Sequence, residues 1–171
     1  MEAVDKGNEQ MGAIERTIAG LPGIRGYKAK EMRREADKQV RDTLVTELER
    51  RRDRVTGLQQ DLLSAGGLLW MDVMERVVGR LQLLIDRVRT AAYGYTPFFD
   101  LEKVKEEELD RLAAYDQSLF ESLPTLDQSI AGLETAIRGN ENIQGALQAV
   151  ATPVNDLNDK FGRRMEAMRT G

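Results

Sequence analysis

Apolar residues recur along most of this chain at alternating spacings of three and four, the pattern of helices that bury one stripe. The clearest run passes through Leu44, Leu48, Val55, Leu58, Leu62 and Ala65, with one polar interruption at Arg51. A mean spacing of about 3.5 residues predicts a long helix over 28–65 whose seam follows a partner in left-handed, knobs-into-holes packing. At about 1.5 Å per residue that helix would extend about 55 Å. Gly66 and Gly67 end it, because glycine adopts the left-handed conformation that closes a helix.

A helix over 68–93 continues the register through Trp70, Met74, Val77, Leu81, Leu84, Val88 and Ala91, with a second apolar row at Val78, Ile85 and Ala92. The widened face predicts a central element touched from several sides, with Gly79 a point of close helix approach. A third long helix, over 101–137, carries Leu109, Leu112, Leu119, Leu123, Leu126, Ile130, Leu133 and Ile137, with Asp116 as its polar exception and Asp100 as its N-cap. Ile143, Leu147, Val150, Val154, Leu157, Phe161, Met165 and Met168 form the stripe of a last helix over 142–169. Pro124 and Pro153 lie inside these two stripes, and a proline in a helix interior costs about 3 kcal/mol, so each predicts a kink or a split. Before all of these, Met11, Ile14 and Ile18 mark a short helix over 3–19, which the Leu21-Pro22-Gly23 turn ends.

The expected fold is therefore all-α: one domain over 1–171, an elongated antiparallel helical bundle with coiled-coil-like heptad packing. Composition agrees, with 32% charged residues, 5% aromatics and four prolines, too few of the last two for a sandwich or barrel. No repeat appears at the periods of helical solenoids.

The chain contains no cysteine and no histidine. That removes disulfides, thiolate nucleophiles, the usual zinc ligands and imidazole acid–base catalysis together. No Gly-rich phosphate loop is present. Glu106, Glu107, Glu108 and Asp110 invite a carboxylate–metal reading, but three successive helical positions fan over about 200° and cannot converge on one ion. A di-iron bundle also needs a Glu-x-x-His motif. They read instead as an acidic first turn, favoured by the helix dipole. The expectation is thus no catalytic centre, no metal and no cofactor. The first twenty residues have neither a basic nor an apolar signal region, and no run is apolar enough to span a bilayer, so a cytoplasmic setting is the default.

Charge is unevenly spread within a net −4: residues 25–54 hold eleven Lys/Arg against seven Asp/Glu, and residues 100–141 hold four against eleven. Arg25, Lys28, Lys30, Arg33, Arg34, Lys38 and Arg41 form the most distinctive basic run, a candidate surface for anionic lipid or, more weakly, nucleic acid. Glu31, Glu35 and Asp37 sit three or four residues from several of these cations, so a solvated, internally paired face fits the same pattern. Tyr93, Tyr95, Phe98 and Phe99 gather four of nine aromatics at one break. Buried, they plug the bundle end; exposed, they would anchor a protein partner. Arg51 and Asp116 interrupt otherwise apolar seams, which suggests that they pair across helices to fix register. These features make a non-enzymatic scaffold or adaptor, acting through protein contacts or self-association, the leading expectation. A membrane-surface protein is the second and a nucleic-acid-associated coiled coil the third.

Overall fold

The computed structural model describes residues 29–91 and 106–169, in which four long α-helices and one 3-10 turn occur and no strand is found. Helix α1 spans Ala29–Ser64, a 3-10 turn spans Leu68–Trp70, α2 spans Met71–Ala91, α3 spans Glu106–Gly139 and α4 spans Ile143–Arg169. The chain is all-α among the described residues. The expected helix over 3–19, the Asp100 cap and the aromatic cluster at 93–99 lie outside them.

Local chemistry ends the helices where the sequence predicts. Gly66 has φ +84°, and the Gly66 and Gly67 amides donate to the Leu63 and Leu62 carbonyls at 3.1 and 2.8 Å. This is the paired closure of a Schellman motif. Position 67 has no room for a side chain, since the Leu62 carbonyl oxygen would lie 2.8 Å from an added Cβ. Asn140, at φ 48°, closes α3 in the same way, with Asn140 and Glu141 amides bonded to the Ile137 and Ala136 carbonyls. Ala65, expected in the seam, is exposed because the helix has already ended.

Both prolines lie within continuous helices: Pro124 is inside α3 and Pro153 inside α4, so neither splits its element. Leu123, Leu126, Val150 and Val154 beside them are fully buried, and seam packing on both sides offsets the missing backbone bond.

Two hairpins make the bundle. Arg52 reaches Gln82 at 2.8 Å and Arg89 pairs with Glu49, which sets α1 and α2 antiparallel. Ser122 and Lys160 meet across α3 and α4, likewise antiparallel. Between the hairpins, Arg51 pairs with Asp127 and Arg54 with Glu134. Numbers rise together on α1 and α3, so these neighbours run parallel. The remaining contact is α2 against α4, which leaves α1 and α4, and α2 and α3, on the diagonals.

The buried apolar residues of all four helices form one cluster, from Val40 on α1 to Phe161 on α4. Two expectations change here. Helix α2, the expected central element, is no more central than the others, because each helix borders two neighbours and needs a face wider than one seam. Gly79 is not a point of close approach: it is exposed, and an added Cβ would meet nothing within 4 Å.

Candidate functional site

Arg51 stands on the seam face of α1 with 5% of its surface exposed. One terminal nitrogen, Nη1, donates to the Glu47 carbonyl at 2.8 Å and to Glu47 Oε2 at 2.9 Å. The other, Nη2, donates to Asp127 Oδ2 on α3 at 2.7 Å. Arg51 Nε has no hydrogen-bond partner among the described residues. A guanidinium so buried is held by its two carboxylates, and removing either leaves charge poorly compensated.

Arg51 does not pair with Asp116, although both are buried. Asp116 precedes Asp127 by eleven residues on α3, about 16 Å along the axis at helical rise. The true partner escaped the seam pattern because Asp127 flanks the stripe, next to Leu126. An arginine stem is long enough to reach a flanking position.

The opposite interface, α2 against α4, is tied by Asn158, a buried residue that the heptad pattern did not single out. Its Nδ2 donates to the Arg80 carbonyl at 3.1 Å and to the Val154 carbonyl at 3.2 Å. Its Oδ1 and its backbone carbonyl both accept from Arg87 Nη1 at 3.1 Å. The Arg87 guanidinium carbon lies 5.4 Å from the centre of the Phe161 ring, within cation–π range. An amide with donors and acceptor all committed fixes the register of two helices.

Between α3 and α4 an open groove of about 280 Å³ is lined by Ser122, Thr125, Pro153, Asp156, Asp159, Lys160 and Arg163. Lys160 Nζ lies 2.6 Å from Ser122 Oγ, a contact that resembles a serine–lysine dyad. Ser122 Oγ, however, donates to the Ser118 carbonyl at 2.9 Å. The lysine is therefore the donor to the serine oxygen, where a base would have to accept its proton. Among the described residues, no group of three or more His, Cys, Asp or Glu is placed to hold a metal, and no helix is long and apolar enough to cross a membrane.

Among the described residues, the largest apolar exposure is at the turn joining α1 and α2. Leu63, Leu68 and Leu69 are 52%, 72% and 81% exposed, while Trp70 packs partly onto the core. Extending the helical register back to residue 68 misses this. The usable signal was Gly66-Gly67-Leu68-Leu69-Trp70 itself, since three successive apolar residues after a tight turn cannot all face one core.

Of the basic run, Lys30, Arg33 and Arg34 lie on the first turns of α1, and Lys38 is exposed. Arg41 is 6% exposed and cannot meet an external anionic surface as expected. It extends the three–four spacing of Leu44, Leu48 and Arg51 toward the N-terminus and so faces inward. Arg25 and Lys28, with Tyr93, Tyr95, Phe98 and Phe99, lie outside the described residues. No protein-family model matches the chain, and neither a curated protein nor a solved structure matches it.

Proposed function

We propose that this chain is a non-enzymatic helical scaffold or adaptor that works through protein contacts at its surface, with self-association as their simplest form. The observation that supports this reading is the exposure of Leu63, Leu68 and Leu69 together within one tight turn. Single exposed leucines are ordinary on a protein surface, whereas a group of them at one end is an anchor for a partner. In the same reading, the seams of each hairpin interlock as knobs into holes, and the polar ties fix the register that presents the tip.

Three leucines cover far less than the roughly 800 Å² per partner of a standard interface, so the contact belongs to the weak, transient class. The test is mass in solution across a concentration series, for the native chain and for Leu68→Ser/Leu69→Ser. The mass of the native chain should rise with concentration, and the double variant should lose that rise. A native chain that stays monomeric at every concentration removes self-association. A rise unchanged in the variant removes the tip as its seat. Burial of Arg41 takes one cation from the anionic-surface alternative, and no observation favours that reading over the tip.

A further inference from the structure

Residues 55–75 hold Asp61, Asp72 and Glu75 and no lysine or arginine. They carry −3 of the chain's net −4, and the other 150 residues sum to −1. The fold turns this stretch back on itself, since it comprises the end of α1, the 3-10 turn and the start of α2. The three carboxylates are therefore gathered at the end that exposes Leu63, Leu68 and Leu69. Each is exposed, and none forms an ion pair among the described residues.

The cations that border the stretch are engaged within the bundle. Arg54 and Arg138 share Glu134 on the α3 side, and Arg76 Nε donates to the Asp72 carbonyl at 3.3 Å. The turn between α3 and α4 caps the same end and adds Glu141, also exposed. An apolar centre thus lies inside a rim of carboxylates. A rim of one sign without counter-charges is complementary to a cationic partner.

We propose, building on the docking role of this tip, that its occupant is a cationic amphipathic segment of a partner protein. Apolar side chains of the segment cover the leucines, and its Lys or Arg side chains stand against Asp61, Asp72 and Glu75. A second copy is the weaker occupant, because tip against tip gathers six such carboxylates with no cation from either stretch. Each exposed pair adds about two- to threefold in affinity, so the three together add about tenfold.

Two synthetic peptides with one leucine face in common, flanked by lysine in the first and glutamate in the second, test this by fluorescence anisotropy with the full chain. The lysine peptide should bind at least about tenfold more tightly, and the gap should close as salt rises from about 50 to 500 mM. Salt should strengthen tip-to-tip association instead. Asp61→Asn/Asp72→Asn/Glu75→Gln should weaken the lysine peptide about tenfold, and Leu68→Ser/Leu69→Ser should weaken both peptides. Equal binding of the two peptides overturns the cationic partner and leaves the tip as a docking surface. Lysine-peptide binding that survives the leucine substitutions places the contact elsewhere and overturns the proposal. So does a native chain that binds neither peptide, and a mass that still rises with concentration then keeps the docking role alone.

Discussion

Arg51 on α1 and Asp127 on α3 form a 2.7 Å ion pair between parallel helices of different hairpins, with the arginine side chain 6% and the aspartate side chain 35% exposed. The asymmetry governs what happens when either partner is lost. Removing Asp127 leaves a buried cation with Glu47 alone, whereas removing Arg51 leaves Asp127 open to solvent and Glu47 still paired with Arg50. Asp127→Ala should therefore cost about 1–3 kcal/mol, and Arg51→Leu, which restores an apolar seam, should be close to neutral. Urea melts of both variants check the order. A larger loss for Arg51→Leu than for Asp127→Ala would contradict it.

The separation of Arg51 from Asp116 gives a second expectation. With about 16 Å of helix between the levels of the two residues, Arg51→Leu and Asp116→Leu should have additive effects on stability to within about 0.5 kcal/mol. A double-mutant cycle reads the coupling directly, and a term above about 1 kcal/mol would show that the two sites communicate.

Asn158 serves α2 and α4 at once, so shape without hydrogen bonding should not suffice. Asn158→Leu should lose about 1–3 kcal/mol, because the bonds to the Arg80 carbonyl and to Arg87 disappear inside a closed interface. Thermal melting of Asn158→Leu beside Arg87→Met distinguishes a lost polar tie from lost volume. Asn158→Leu should lose more than Arg87→Met, because it also ends the bonds to the Arg80 and Val154 carbonyls, and the double should lose less than the sum of the two, because they share one bond.

At the tip, backbone and side chains separate. Gly66→Ala should destabilise by about 1 kcal/mol through the positive φ alone, and Gly67→Ala by more, because the Leu62 carbonyl occupies the space of its Cβ. Leu68→Ser/Leu69→Ser, both strongly exposed, should shift unfolding by no more than about 0.5 kcal/mol. Denaturant midpoints for the three variants test the ranking.

Much of the architecture was legible before any coordinates. The seam of α1, the Gly66–Gly67 stop and the last helix, expected over 142–169 and found as Ile143–Arg169, follow from periodicity and turn chemistry, which are local. The candidate site was legible only in part. Arg51 stood out as a polar residue in an apolar stripe, but its partner did not, because Asp127 lies beside a seam and is unremarkable in sequence. Asn158 was passed over for the same reason. Leu68 and Leu69 were absorbed into a helix because periodicity extrapolates through a turn that breaks it.

The sequence by itself determined that the chain is helical, where most of its described helices stop, and which stripe each one buries, because these depend on residues within a few turns of one another. Only the tertiary structure decided which helices are neighbours and that the two hairpins meet in parallel. It also decided that Arg41 faces inward and that Arg51 meets Asp127 and not Asp116. Those outcomes depend on the relative heights of segments up to about eighty residues apart, as in the pair Arg54 and Glu134. Height is set by the fit of whole faces and a few buried polar ties, which a heptad repeated every seven residues leaves degenerate.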